Sequence, residues 1–126
     1  MTTRNTQRRP LTDLQQAILD FIWSNGPSTS DTLRKGLLPR HRLKDSSVRT
    51  LLRRLEQRGY LTHTTEGKVF VYTATARRTS VAARAVRQII DRFWSGSAEQ
   101  FLAGMVDEKV LSAEAITRLA KKVRKP

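Results

Sequence analysis

The sequence predicts a mainly α-helical fold that carries one small β-hairpin. Three observations support this. Apolar residues recur at helical spacing in six separate stretches, the period falls to two only between Tyr60 and Tyr72, and Gly, Pro or Ser marks nearly every change of pattern. A chain of 126 residues has room for one domain of ordinary size, or for a smaller domain with a helical appendage.

Residues 1–10, rich in Arg, Thr and Asn, lack periodicity and read as a flexible basic arm. At Leu11 the pattern changes. Leu11, Leu14, Ile18, Phe21 and Ile22 fall at helical spacing, and Thr12 with Gln15 makes a capping-box signature, so a first helix is expected from about Thr12 to Trp23. Asn25, Gly26 and Pro27 end it, because Gly or Asn tolerates a left-handed cap and Pro cannot continue the hydrogen-bond ladder. A short second helix follows, with Ser28 or Ser30 as its cap, Leu33 and Leu37 as its apolar stripe and Pro39 as its close. Arg40 to Lys44 form a basic connector.

The third helix places Val48, Leu51, Leu52 and Leu55 on one face and stops at Gly59. Its other face presents Ser46, Ser47, Arg49, Thr50, Arg53, Arg54 and Gln57, with no carboxylate until Glu56. Cations mixed with small hydrogen-bonding groups suit the reading of a DNA groove better than a salt-bridged surface. After Gly59, alternation over Tyr60–Thr64, the turn Glu66-Gly67-Lys68 and the run Val69–Tyr72 predict a hairpin. Three helices whose third leads into a hairpin form the winged helix-turn-helix arrangement, in which the third helix enters the major groove and the wing touches flanking backbone.

From Thr79 a helix carries Val81, Ala82, Ala85, Val86, Ile89, Ile90, Phe93 and Trp94, and Ser95-Gly96-Ser97 breaks it. Ser97 with Gln100 signals a second capping box, opening a short helix with Phe101, Leu102, Met105 and Val106. Ser112 caps a last helix bearing Ile116, Leu119, Ala120 and Val123. Short amphipathic helices of this kind cannot make a solitary core, so they are expected to pair with the same region of a second copy. The expected organisation is a basic arm over 1–10, a winged DNA-binding domain over 11–76 and a helical dimerisation domain over 77–126.

Composition narrows the function. With 24 Lys plus Arg against 11 Asp plus Glu the net charge is +13, an excess that attracts polyanions, nucleic acid first among them. No apolar stretch approaches the ~20 residues of a transmembrane helix and the N-terminus lacks a signal peptide's apolar core, so a cytoplasmic location is expected. The absence of cysteine excludes a disulfide framework, a thiolate metal site and a cysteine nucleophile. His41 and His63 stand outside any zinc-type spacing, so neither a metal nor another cofactor is expected. Asp107 and Glu108 are adjacent carboxylates without a partner base, which argues against acid–base catalysis and against an enzyme.

For DNA contact the candidates are Arg42, Lys44, Ser46, Ser47, Arg49, Thr50, Arg53, Arg54 and Lys68, with Arg49 and Arg53 first for base contact. The bland alternative, a solvated charged face, fits poorly: nine Lys or Arg lie between Arg34 and Arg58 against Asp45 and Glu56 alone, whereas ordinary surfaces mix both signs. Thr50 is equally explained as a tolerated helix residue, and Ser46 and Ser47 as caps of the third helix. His41 and His63 read as surface residues rather than sensors, and Trp23 and Trp94 as core or interface anchors.

The run Ser47, Val48, Arg49, Thr50, Leu51, Leu52, Arg54, Leu55 and Gly59, with the hairpin Lys68 to Tyr72, resembles the penicillinase repressor family of the BlaI/MecI type. The resemblance extends to Leu11, Leu19, Ile22 and Trp23 and to Leu111, Ser112 and the final helix. It implies a homodimeric repressor that binds inverted-repeat operators in double-stranded DNA, dimerising through Val86, Ile89, Ile90, Phe93, Trp94, Phe101, Leu102, Met105, Ile116, Leu119 and Val123. In the antibiotic-resistance branch, a membrane-bound penicillin-sensing protease system leads to cleavage of the repressor at an Asn-Phe bond. Counting back from Leu111 and Ser112 puts Gly104 and Met105 at the corresponding bond here, a departure in both side chains. A copper-responsive branch uses C-terminal cysteines, which this chain lacks. The rival classes are an RNA-binding protein, disfavoured because the reading helix exposes no stacking aromatic, an adaptor for protein contact, which would not need the arginine face, and a low-specificity architectural DNA-binding protein.

Overall fold

Thr12 starts the first helix by accepting a hydrogen bond from the Gln15 N–H, while the Gln15 side chain accepts one from the Thr12 N–H, completing the expected capping box. A computed structural model describes residues 9–124 of the chain, so all but Arg9 and Pro10 of the expected basic arm lies outside the described residues. In order the elements are α1 (Asp13–Asn25), α2 (Ser30–Gly36), α3 (Asp45–Gln57), β1 (Leu61–Glu66), β2 (Val69–Ala74), α4 (Arg78–Trp94), α5 (Ala98–Asp107) and α6 (Ala113–Arg124). The expected mainly helical fold with one hairpin and the winged arrangement is the observed one.

Several local expectations are corrected. α1 continues through Asn25 rather than stopping at Trp23, because Gly26, at φ +88°, is the first residue able to leave the helix. The cap of α2 is Thr29, whose hydroxyl accepts from the Thr32 N–H, and neither Ser28 nor Ser30. Ser28 exchanges backbone hydrogen bonds with Tyr72 instead, which ties the start of α2 to the hairpin. Ser46 and Ser47 do not cap α3. Both lie inside its first turn, and Lys44 occupies the cap position without a side-chain hydrogen bond. Asp45 in that turn complements the positive end of the helix dipole. At α5, Ser97 accepts from the Gln100 N–H, which is half of the expected box.

β1 and β2 pair antiparallel with Leu61 opposite Ala74 and Glu66 opposite Val69. Gly67 takes a φ of +64°, the left-handed conformation that the first position of a two-residue hairpin turn requires.

Contacts gather into two compact units, one through Ala85 and one from Val86. The first has a core of Ile18, Leu19 and Ile22 from α1, Leu33 and Leu37 from α2, Val48, Leu52 and Leu55 from α3, and Tyr60, Leu61 and Tyr72 at the hairpin. Phe21 can approach α2 because the position it covers is Gly36, where a Cβ would overlap the ring. The buried Arg58 guanidinium donates to Gln15 Oε1 at 3.1 Å and to the Arg9 carbonyl, and it stands 5.2 Å from the centre of the Tyr60 ring. Trp23 anchors the end of the hairpin by donating from Nε1 to the Ala76 carbonyl at 2.9 Å.

In the second unit, the described apolar side chains do not reach full burial. Trp94 packs edge-on against Phe101 with ring centres 5.4 Å apart and lies over Gly104. Phe93 is 68% exposed, Leu119 60% and Val123 73%, so three large apolar groups stand in water in the single chain. Val86, Ile89 and Leu102 are exposed as well, while Ile90, Trp94, Phe101, Met105 and Ile116 are half-buried.

Candidate nucleic-acid interface

The geometry of α3 follows from its periodicity. Val48, Leu52 and Leu55 are buried, so at 100° per residue Ser46, Thr50, Arg53 and Gln57 form the opposite stripe. Ser46, Arg49, Arg53 and Gln57 are exposed, and Thr50 is half-buried. Ser47 and Arg54 lie on one flank of this stripe, and Arg49 and Glu56, of which Glu56 reaches the hairpin, lie on the other. Arg42 and Lys44 are exposed on the connector leading into α3, and Lys68 is exposed in the hairpin turn.

Two side chains of this exposed face have intrahelical partners. Arg49 Nη2 pairs with Asp45 Oδ2 at 3.0 Å, one turn earlier. The Thr50 hydroxyl donates to the Ser46 carbonyl at 2.9 Å, which leaves its oxygen free to accept. Among the described residues Arg53 forms no ion pair.

The link between α3 and the hairpin was not legible as a function in the sequence. His63 Nδ1 of β1 lies 2.7 and 2.9 Å from the two carboxylate oxygens of Glu56. The same imidazole stacks on Phe70 across the hairpin, with ring centres 4.1 Å apart. His63 is thus a half-buried connector of the reading helix to the wing, where the alternation of β1 suggested only a surface residue. Register could have found the ring pair: His63 faces Tyr72, and Phe70 sits two places along on the same side. Burial, and then the nearby Glu56 carboxylate, hold the Tyr72 hydroxyl above its ordinary pKa.

His41 is half-buried beside α2, apart from the α3 stripe. The described residues hold no group of His, Asp and Glu able to bind a metal, and no helix long and apolar enough to cross a membrane. The arrangement is a cationic ridge flanked by a wing, suited to holding an extended polyanion through side-chain contacts.

A family model described as penicillinase repressor matches residues 11–125. The chain is 29% identical over 109 residues to an uncharacterised 16.5 kDa protein in the ptsI 3′ region of Latilactobacillus sakei, covering 86% of this chain and 75% of that protein. It is 25% identical over 109 residues to the penicillinase repressor of Bacillus licheniformis, covering 86% and 85%. The solved structure of a MarR family protein from Bacillus stearothermophilus matches with a TM-score of 0.50 at 17% identity, over 98% of this chain and 84% of that one, a likeness of fold.

Proposed function

The chain belongs to the penicillinase repressor family, and on that premise we propose that it acts as a homodimer on inverted-repeat operators in double-stranded DNA. It is a winged-helix transcriptional repressor and not an enzyme. In the proposed complex each α3 enters the major groove of one half-site. Arg49 and Arg53 hydrogen-bond to base edges, guanine being the base whose two acceptors match a guanidinium fork. Thr50 offers its methyl group and oxygen to the same groove. Arg42, Lys44, Ser46, Ser47, Arg54 and Lys68 meet phosphates and set the register.

The observation that carries this reading is the exposed face of α3, on which Arg53 lies opposite the buried stripe and Arg49 on its flank. Under the same reading residues 11–76 hold DNA and residues 77–126 dimerise. The exposure of Phe93, Leu119 and Val123 supports the second assignment, since covering them with a partner's apolar face removes that area from water at about 25 cal/mol per Å². Cleavage at Gly104–Met105 by a sensor protease system would sever α6 from the rest of this region and so release DNA. The repressor would act in the cytoplasm, where its operator is.

The test is to select DNA from a random pool with the purified full chain, footprint the product and measure mass by sedimentation. A dimer and a two-fold symmetric footprint are expected, with half-site centres about 10 bp apart. A monomer at micromolar concentration, or an asymmetric footprint, overturns the proposal. Preference for the selected site below roughly 10³-fold over random DNA would mark an architectural binder instead.

A further inference from the structure

α3 holds two carboxylates, Asp45 at its start and Glu56 in its last turn. Asp45 is paired with Arg49 one turn on. Glu56 sits where the helix dipole opposes a negative charge, and three residues before it stands Arg53, the neighbour with which an ion pair would form in an isolated helix. That pair is not made. His63 takes the carboxylate instead, with Nδ1 at 2.7 and 2.9 Å from its two oxygens. An ionised carboxylate only accepts, so Nδ1 carries the proton and donates. Phe70 stacks on the imidazole within 17° of parallel and so fixes the ring edge that meets Glu56. Arg53, Glu56 and His63 line one cleft between α3 and the hairpin, where the other cations are Arg49, already paired with Asp45, and Lys68 of the hairpin turn.

We propose that His63 is a positioning residue for DNA binding: by holding Glu56 against the hairpin it keeps that carboxylate off Arg53 and leaves the guanidinium open to the groove. Released, Glu56 would compete with DNA for the same guanidinium fork, a loss confined to what Arg53 contributes. This role rests on the reading of α3 as the DNA-contacting helix, and adds to it a residue that acts through Glu56 rather than on DNA. A plain strut between helix and wing behaves differently. For a strut, losing either partner of the His63–Glu56 bond is equally harmful, and losing both is no better.

The experiment measures the affinity of full-length variants for DNA selected by the wild-type chain, with the unfolding midpoint of each reporting whether the fold is kept. His63→Ala should weaken binding about two- to fivefold, the amount that an exposed ion pair can withhold. Adding Glu56→Gln to His63→Ala should restore most of that loss, because a neutral amide competes poorly for a guanidinium. His63→Asn, whose amide nitrogen stands the same two bonds from Cβ as Nδ1, should keep most of the wild-type affinity. In an Arg53→Ala background His63→Ala should cost nothing further. If His63→Ala unfolds, His63→Gln replaces it, since its longer side chain carries the amide past the position of Nδ1. The Arg53 Nε–H signal in NMR of the free, isotope-labelled protein gives a readout without DNA: it should move in His63→Ala and return in the double variant with Glu56→Gln.

The proposal is overturned if His63→Ala binds DNA as the wild type does, if the double variant binds no better than His63→Ala, if His63→Asn loses as much as His63→Ala, or if the loss persists without Arg53. An Arg53 signal indifferent to both changes overturns it as well. If the wild-type chain selects no DNA while the Arg53 signal follows the His63 and Glu56 changes, the repressor reading fails and the hold of His63 on the Glu56–Arg53 pairing stands.

Discussion

The indole of Trp94, at the end of α4, lies across Gly104 in the middle of α5, so closely that a Cβ at Gly104 would stand 3.0 Å from Trp94 Cζ2. Glycine inside a helix costs about 1 kcal/mol relative to alanine. Here the close packing accounts for its use.

Gly104→Ala therefore sets a gain in helix propensity against crowding of the ring, and the net change in unfolding free energy should stay under about 1 kcal/mol. Gly104→Leu must push the indole off its seat beside Phe101 and should destabilise by about 1–3 kcal/mol. Denaturant titration of both full-length variants decides the point. Equal stability of Leu and Ala at 104 would show that the indole yields freely.

Within the α3 face, Arg49→Ala or Arg53→Ala should each weaken binding to the selected operator by about 1–3 kcal/mol and narrow its margin over random DNA. Lys68→Ala and Arg42→Ala should weaken all sequences alike and flatten the salt dependence by about one unit each. Retention of full operator preference by both Arg variants would sink the base-contact assignment.

Asp31, in the first turn of α2, accepts hydrogen bonds from Arg34 and then Lys35, and these hold its carboxyl below the ordinary 3.8. A lowered folded-state pKa stabilises the fold above the unfolded value and loses that contribution as pH falls through the folded one. Asp31→Asn should thus lower the denaturation midpoint slightly at neutral pH, with the difference closing below pH 3.8 and shrinking in high salt. A difference that persists unchanged in acid would assign the effect to something other than this charge.

Host cells exposed to a cell-wall antibiotic test the proteolytic route. Mass spectrometry of the repressor should show a product ending at Gly104, with loss of the intact chain in step with derepression. Derepression with the full-length chain undiminished would exclude cleavage at Gly104–Met105 as the route.

The features legible from the chain alone are those set within a turn or two of backbone. Thr12 and Gln15 cap each other three residues apart, Ser97 and Ser112 accept from N–H groups just ahead of them, and Gly67 supplies the turn conformation the hairpin needs. The apolar spacing of Val48, Leu52 and Leu55 likewise determines that Arg49 and Arg53 face outward, because a helix with one buried stripe has only one face left.

Tertiary structure decided what depends on partners far along the chain. Ser28 and Thr29 are both good helix caps by local chemistry, yet Ser28 is drawn into pairing with Tyr72 and Thr29 takes the cap. Arg58 looks like another groove cation, and it is buried because Gln15 and the Arg9 carbonyl meet it from the start of the chain. His63 reads as a surface strand residue, and it becomes a strut because folding brings Glu56 and Phe70 to it from two other elements. A periodic pattern records which face of an element is buried; it carries no record of which distant side chain completes a hydrogen bond there, and that choice is made only when the elements pack.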